Sequence, residues 1–175
     1  MRIIAGQYGG RIFDSPKGHL SHPMSEKMRG AIFSSLGDIS GLSVLDAYSG
    51  SGAICLEAIS RGAKTVVAID NSKQSIVCIN QNIANLKIKN RVAVVMSTID
   101  RWLANNIDMF DLIIADPPYD QLRPDIINNL ITRLHSHGLL VLSWPGKTEI
   151  PILTNSKLVK TSSYGDSQLA FYNLT

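Results

Sequence analysis

Residues 44–52 read Val44-Leu45-Asp46-Ala47-Tyr48-Ser49-Gly50-Ser51-Gly52, and this stretch decides the fold class. A short apolar run ends at a carboxylate, and the chain then passes through two glycines into a helix-like segment. Glycines let the backbone approach a ligand closely, and a helix that begins there presents free N–H groups. The stretch therefore predicts a buried strand that leads into a ligand-binding turn, as in nucleotide-binding α/β folds.

Further apolar runs of the same kind follow at regular intervals along the chain. They are nearly continuous rather than alternating, which is typical of strands covered by helices on both faces. The predicted parallel strands are Val44–Tyr48, Thr65–Asp70, Arg91–Met96, Asp111–Asp116 and Gly138–Trp144. Segments with helical periodicity separate them, so the pattern predicts a Rossmann-like α/β fold with an open, mostly parallel sheet.

Both ends of the chain depart from this alternation. At the amino end, Arg2–Ala5 and Arg11–Asp14 read as two short strands joined through glycines, and an amphipathic helix follows them. At the carboxyl end, Lys157–Tyr164 and Gln168–Leu174 flank a Gly-Asp-Ser turn. The first pattern predicts a small amino-terminal hairpin, and the second predicts that the sheet ends in an antiparallel hairpin.

The charge distribution sets the amino end apart from the rest of the chain. We expect one compact unit made of an extension, residues 1–37, and a main domain, residues 38–175. Residues 1–30 carry five basic and two acidic residues, whereas the remaining chain carries twelve of each. A basic end beside a neutral body favours contact with a polyanion, although charge alone fits a solvated surface as well. The five basic residues are Arg2, Arg11, Lys17, Lys27 and Arg29.

Two aspartates indicate the kind of cofactor. Asp46 lies four residues before Gly50, where a carboxylate repels a pyrophosphate and attracts an ammonium group. Asp70 ends the second strand, 18 residues after Gly52, where a carboxylate usually holds ribose hydroxyls. Cys55 occupies the position where dinucleotide-binding proteins need glycine or alanine, which disfavours a nicotinamide cofactor. S-adenosylmethionine has both a ribose and a cationic tail, although each aspartate alone could also cap the following turn or helix.

The most specific string in the chain is Asp116-Pro117-Pro118-Tyr119, directly after the fourth strand. Two prolines fix φ and remove two N–H donors, which makes the segment stiff. The Asp116 carboxylate and the Pro117 carbonyl can both accept hydrogen bonds from an exocyclic amine, and Tyr119 can stack on a base. In a doubly wound sheet this strand borders the first, close to Asp46. The string predicts methylation of an unpaired or flipped base, and the alternative is a rigid turn with a capping aspartate.

These two motifs together resemble those of class I S-adenosylmethionine-dependent methyltransferases that act on amino groups. The amino end resembles the RsmD family more narrowly, the bacterial 16S rRNA guanine-N2 methyltransferases. The strings that carry this narrower resemblance are Arg2-Ile3-Ile4-Ala5-Gly6, Gly10-Arg11, Ser15-Pro16-Lys17-Gly18, Arg29, Phe33, residues 57–63 and Tyr164-Gly165-Asp166. The resemblance implies a seven-stranded sheet, S-adenosylmethionine as cofactor, and a guanine of the small ribosomal subunit or its assembly intermediate as substrate.

The resemblance also assigns roles to individual positions. The catalytic residues that it implies are Asp116, Pro117 and Tyr119. The cofactor-binding residues that it implies are Asp46, Ser49, Gly50, Gly52, Asp70, Asn71, Ser97 and Thr98. The five basic residues of the extension are the expected RNA contacts. The chain departs from the family pattern at His22-Pro23-Met24, where Arg-Pro-Thr is usual, and at Ser143-Trp144-Pro145, where a glutamate is common.

Other features of the sequence limit the class of protein. No apolar run is long enough to span a membrane, and the opening residues show no secretory signal. Two isolated cysteines suit a reducing compartment, so we expect a cytoplasmic protein. We separately expect a monomer. The four histidines lack carboxylate or cysteine partners at ligand spacing, so we expect no metal.

Two other functions stay open at this point. One is a DNA or other-RNA amino-methyltransferase, and the lack of room for a separate target-recognition domain argues against a DNA enzyme. The other is a non-catalytic RNA-binding assembly protein that kept the fold. The presence of Asp46, Asp70 and Asp116 together argues against that second alternative.

Overall fold

The structure is a computed structural model that describes residues 1–16 and 24–175. It contains one seven-stranded sheet with helices on both faces. The strands are β1 (Ser43–Asp46), β2 (Thr65–Asp70), β3 (Val92–Met96), β4 (Phe110–Ala115), β5 (Leu134–Pro145), β6 (Ser156–Tyr164) and β7 (Ser167–Leu174). The helices are α1 (Glu26–Leu36), α2 (Ala53–Ser60), α3 (Lys73–Leu86), α4 (Ile99–Asn105) and α5 (Pro124–Leu130), and a short 3-10 helix, Ile131–Arg133, follows α5.

The strand order is β3-β2-β1-β4-β5-β7-β6. The five strands from β3 to β5 are mutually parallel, and β7 and β6 complete the sheet in antiparallel pairs. The predicted Rossmann-like sheet with an antiparallel carboxyl-terminal hairpin is therefore confirmed. The chain direction of the crossovers reverses between β1 and β4, and ligands of open α/β sheets bind at such a switch point.

The core has two layers, one on each face of the sheet. Apolar side chains of α1, α2 and α3 pack on one face, with Ile32, Ile54 and Ile79 fully or almost fully buried. Those of α4 and α5 pack on the other face, with Trp102 and Ile127 at its centre. In the described ranges, no helix has the length and the hydropathy that a membrane crossing requires.

The amino-terminal hairpin forms with less regular pairing than the sequence predicts. Ile3 exchanges backbone hydrogen bonds with Arg11 and Gly10, but the two segments form only an isolated bridge between Arg2 and Ile12. The backbone N–H groups of the two residues after Ile3 instead donate to a carboxylate of α2. The ladder is short because the Ala5 N–H, the next one that could face the partner segment, donates to α2 instead.

The hairpin lies across α2, and every residue of that helix is buried. Gly6 has a φ of 82°, and a side chain at this position would collide with the backbone carbonyl of Ser60 at the end of α2. Tyr8 N–H donates to the Ser60 hydroxyl at 2.9 Å, which fixes the hairpin at the same point. Glycine is therefore required where the hairpin crosses the helix.

Strand β6 forms one outer edge of the sheet. Most of its residues are exposed, and the register with β7 shifts between Leu158 and Lys160. The inserted residue, Val159, makes a bulge, and lysines stand on both sides of it at positions 157 and 160. Lys160 also donates to the hydroxyl of Ser35 at 2.9 Å.

Candidate active site

Three carboxylates gather at the carboxyl edge of the sheet. Asp46 ends β1, Asp70 ends β2 and Asp116 directly follows β4, and β1 lies between the other two strands. The negative charges of Asp70 and Asp116 each contribute to raising the pKa of Asp46. The topology therefore brings the predicted cofactor loop and the predicted catalytic string to one site at the switch point.

Asp46 is the most buried of these carboxylates, with 2% of its surface exposed. It accepts a hydrogen bond from the Cys55 backbone N–H at 3.0 Å, at the start of α2. Burial raises the pKa of Asp46 to about 7, and the hydrogen bonds from Cys55 and Ser49 oppose this rise. Asp46 thus caps α2, as one interpretation of the sequence allowed, and it also faces the glycine turn with a carboxylate that gains or loses its proton near neutral pH.

We expect Asp46 to give the cofactor-free protein a distinct pH dependence of stability. The pKa of Asp46 is about 7 when folded and 3.8 ordinarily, so between these values the folded form holds a proton that the unfolded form releases. The free energy of unfolding therefore falls as pH rises through this window. Relative to Asp46→Asn, which does not titrate, wild type should lose about 1.4 kcal/mol of stability from pH 5 to 6 and about 1 kcal/mol from pH 6 to 7 in urea unfolding. Parallel pH profiles of the two proteins would show that Asp46 ionises normally.

The glycine turn is held against β2. Gly50 and Gly52 have φ values of 51° and 79°, which favour glycine, and a side chain at position 52 would press on Ile79. The Gly50 N–H donates to one oxygen of the Asp70 carboxylate at 2.7 Å, and the Ser72 N–H donates to the other at 2.8 Å. Each carboxylate oxygen accepts more than one hydrogen bond, so Asp70, which is half-buried, keeps capacity for ribose hydroxyls.

The remaining cofactor candidates lie on the rim beside Asp70. The Ser97 N–H donates to the Asp70 backbone carbonyl at 3.0 Å, so the segment after β3 lies next to the end of β2. Asn71 and Thr98 are exposed and Ser97 is half-buried. These side chains are therefore placed to contact a ligand that extends outward from the Asp70 carboxylate.

The Asp116–Tyr119 string forms the other wall of the site. Pro117 is buried, whereas the Tyr119 ring is 39% exposed. Burial raises the pKa of Asp116, and a hydrogen bond from the Ser143 side chain opposes this rise. The Tyr119 and Ser143 hydroxyls lie 2.8 Å apart. The string thus brings together a half-buried carboxylate, a stiff backbone carbonyl and an exposed aromatic face.

Sequence reasoning did not assign a role to Ser143, which lies in the departure from the family pattern. The structure places it beside Asp116 because Leu142 of β5 pairs with Ala115 of β4, and one further residue follows on each strand. This register is the signal that identifies Ser143, and it depends on strand pairing that the sequence alone does not specify.

The prediction that Arg29 contacts RNA is wrong. Arg29 has no exposed surface; its Nε lies 3.7 Å from the Glu57 carboxylate, and it donates to the Arg2 carbonyl at 2.7 Å. Its charge is buried against a carboxylate between the hairpin and α2, so it cannot reach a phosphate. The prediction for Lys17 lies outside the described residues.

Three basic residues of the extension are exposed: Arg2, Arg11 and Lys27. Arg2 pairs with Glu26 at 3.1 Å on the surface, where both side chains are solvated. The Arg11 guanidinium lies over the Tyr8 ring, 5.4 Å from its centre. These three residues stay predicted contacts for a polyanion.

Metal binding has no visible basis in the described ranges. Within residues 1–16 and 24–175, no three or more His, Cys, Asp or Glu side chains are grouped so that they could hold a metal ion. His19 and His22 lie outside these ranges. The expectation that the protein binds no metal stays a prediction.

The order β3-β2-β1-β4-β5-β7-β6, with β7 antiparallel to its neighbours, is the topology of class I S-adenosylmethionine-dependent methyltransferases, and the molecule has this fold. Residues 1–173 match the sequence model of the family described as "Conserved hypothetical protein 95", and the chain belongs to this family. The resemblance to the RsmD family is thereby confirmed.

Related sequences and solved structures agree with this membership. The chain is 27% identical to "Putative rRNA methyltransferase YlbH" of Bacillus subtilis, over 98% of both chains. It is 31% identical to "Ribosomal RNA small subunit methyltransferase D" of Escherichia coli, over 80% of this chain and 69% of the relative. The structure of "Putative methyltransferase yhhF" from Escherichia coli superposes with a TM-score of 0.89 at 28% identity, over 99% of this chain and 97% of that one.

Proposed function

We propose that this protein transfers a methyl group from S-adenosylmethionine to the exocyclic N2 amine of a guanine in 16S rRNA, within the small ribosomal subunit or its assembly intermediate. The single observation that carries the proposal is the placement of Asp116 and Pro117 beside the Asp46 turn. A relative at 31% identity is named for methylation of small-subunit rRNA, which supports the choice of RNA.

The charges of the site suit a cationic cofactor. In the described part of the chain, none of the ion pairs involves Asp46, Asp70 or Asp116, so no protein cation neutralises this cluster. S-adenosylmethionine brings a sulfonium and an ammonium charge, and when bound it supplies an electrophilic methyl group. We assign the ammonium group to Asp46 and the glycine turn, and the ribose to Asp70. We assign the adenine to the rim residues Asn71, Ser97 and Thr98.

The amine acceptor site follows from hydrogen-bond chemistry. An exocyclic amine is a poor nucleophile because its lone pair is delocalised into the base. The Asp116 carboxylate and the Pro117 carbonyl accept its two N–H bonds, which favours a pyramidal nitrogen with an available lone pair. Tyr119 stacks on the base, a contact worth about 1–3 kcal/mol. Alignment of the nitrogen with the methyl group contributes much of the remaining acceleration.

Methyl transfer from labelled cofactor to three substrates tests the proposal. These are small ribosomal subunits, naked 16S rRNA and duplex DNA. We expect label in RNA, at a guanine that mass spectrometry shows to be unmethylated in a strain without this protein. If the label were found only in DNA, or at an adenine, the proposed substrate would be wrong. Absence of heat on titration with S-adenosylmethionine would favour the non-catalytic assembly protein.

The extension provides the proposed RNA contacts, and salt dependence tests them. Changing Arg2 and Arg11 to glutamine should weaken RNA binding and reduce the slope of log K against log salt by about 1 for each phosphate that is no longer neutralised. The matched control changes Arg101 and Lys157, which are also exposed but lie on α4, on the opposite face of the sheet, and on the outer strand β6. An unchanged slope in the first variant, or an equal change in the control, would remove the two arginines from the interface.

We propose that the extension and the main domain work together as one folded unit. Residues 1–37 act as an RNA-contacting extension of the main domain, residues 38–175. The burial of α2 beneath the hairpin supports the idea that the two parts fold as one unit. The protein acts as a monomer in the cytoplasm, where ribosomal subunits are assembled.

A further inference from the structure

We infer that Ser143 is a positioning residue that couples the two halves of the amine site, because its hydroxyl lies 2.8 Å from that of Tyr119 and the strand register sets it beside Asp116. The inference rests on the proposed function, since it assigns Ser143 a part in the same reaction. Neither the cofactor loop nor the Asp-Pro-Pro-Tyr string contains this residue, which comes from β5, 24 residues after Tyr119.

The position of Ser143 is fixed more tightly than that of the groups it contacts. It is 1% exposed and lies near the carboxyl end of β5, which runs between β4 and β7, and it pairs with Leu169 of β7. Tyr119 lies outside the sheet with 39% of its surface exposed, and its hydroxyl is 2.8 Å from that of Ser143. A rigid strand therefore anchors the far end of an otherwise exposed ring.

The Ser143 hydroxyl can both donate and accept a hydrogen bond, so the state of Asp116 decides which group donates to which. When the Asp116 carboxylate is ionised it only accepts hydrogen bonds, and the Ser143 hydroxyl beside it has one proton to donate. In that arrangement the Tyr119 hydroxyl is the donor to the Ser143 oxygen, 2.8 Å away, which has lone pairs free to accept the bond. The Tyr119 proton is used within the protein, so the exposed ring face is what Tyr119 offers a base.

This arrangement holds the stacking surface and the amine acceptor in one geometry before substrate arrives. Pro117 and Pro118 restrain the backbone of the segment, and Ser143 restrains the tip of the ring. Functional groups act best when neighbouring residues hold them within about 0.5 Å of the productive geometry. Removal of the Ser143 hydroxyl should therefore release the Tyr119 ring and the Asp116 carboxylate together, and slow methyl transfer more than it weakens binding.

The experiment compares Ser143→Ala, Tyr119→Phe and the double variant, with kcat and KM measured on the RNA that wild type methylates. Ser143→Ala should lower kcat about tenfold, the effect of losing one net hydrogen bond, with KM within about twofold. Tyr119→Phe should cause a similar or smaller decrease. The double variant should be no slower than Ser143→Ala, because both changes remove the same link. Ser143→Thr, which keeps a hydroxyl, should recover most of the rate.

Two control variants separate positioning from folding. Ser156→Ala on β6 and Tyr172→Phe on β7 each remove a hydroxyl that donates at 2.8 Å to a backbone carbonyl of the loop between β5 and β6, and they should leave kcat unchanged. Cofactor affinity by calorimetry should also be unchanged in Ser143→Ala. The inference is wrong if the decrease in kcat in the double variant equals the product of the two single decreases. It is also wrong if Ser143→Ala lowers the affinity for the cofactor together with kcat. If wild type methylates a different nucleic acid, the proposed function is wrong. The kcat of each variant relative to wild type is then measured on that nucleic acid, so the role of Ser143 is tested independently.

Discussion

Replacing Asp116 with alanine is expected to lower kcat for methyl transfer by about 10²–10³-fold, which is typical when one preorganised hydrogen-bonding group is removed from an active site. In the proposed mechanism the change removes a carboxylate that accepts an amine hydrogen and leaves the Pro117 carbonyl as the other acceptor of the pair. The affinity for S-adenosylmethionine should change little, because the proposed cofactor contacts are made by Asp46 and Asp70. Single-turnover kinetics and calorimetry measure the two quantities.

Two further variants make this result specific. Asp116→Asn keeps one carbonyl oxygen without the charge and should fall between alanine and wild type. Asp108→Ala removes an exposed carboxylate at the opposite, amino end of β4 and should leave kcat unchanged. If the affinity for the cofactor fell with turnover in Asp116→Ala, the carboxylate would belong to the cofactor site instead.

The largest expected effect on stability comes from Glu57. Its carboxylate has no exposed surface and accepts the backbone N–H groups of Ile4 and Ala5 at 2.7 and 3.1 Å. Arg61 donates to it at 2.7 Å, and the buried Arg29 lies 3.7 Å away. Burial lowers the pKa of Arg29, and the charge of Glu57 opposes this. The carboxylate therefore joins the amino-terminal hairpin, α1 and α2 at one buried point.

Glu57→Gln should lower the free energy of unfolding by about 3–5 kcal/mol, because it leaves the Arg29 charge buried without its counter-ion. The control is Asp125→Asn, which breaks the exposed pair with Arg123, with side chains 60% and 58% exposed. Exposed pairs contribute about 0–1 kcal/mol, so this variant should unfold close to wild type in urea. Similar small decreases in both variants would mean that water compensates Arg29 once Glu57 is neutral.

Apolar patterning in the sequence predicts the fold well, because a parallel sheet needs nearly continuous apolar strands. Thr65–Asp70 matches β2 in full, since polar residues bound that run on both sides. β5 is longer than predicted and begins at Leu134 rather than Gly138. Its first residues include exposed polar side chains, and only the pairing of Phe110 with Leu134, across an irregularity in register, keeps them in the strand. The sequence of β5 alone does not show this pairing, because it exists only when β4 and β5 lie side by side in the sheet.

The residues of the candidate site could also be predicted only in part from the sequence. Asp46, Asp70 and Asp116 could be selected from the sequence because each directly follows or ends a predicted strand. The environment of Arg29 could not, since its counter-ion Glu57 lies 28 residues further along and on another helix. A basic residue in a basic segment predicts an exposed charge, and only the packing of α1 on α2 shows that this one is internal.

The edge strand β6 has a consequence for how the protein behaves at high concentration. A second copy that tried to extend the sheet there would bring Lys157 and Lys160 against the same charges of its neighbour. The bulge at Val159 would also interrupt the row of free amides and carbonyls that such growth needs. Fibrous self-association from this side of the molecule is therefore disfavoured by the chain itself, without any covering subunit.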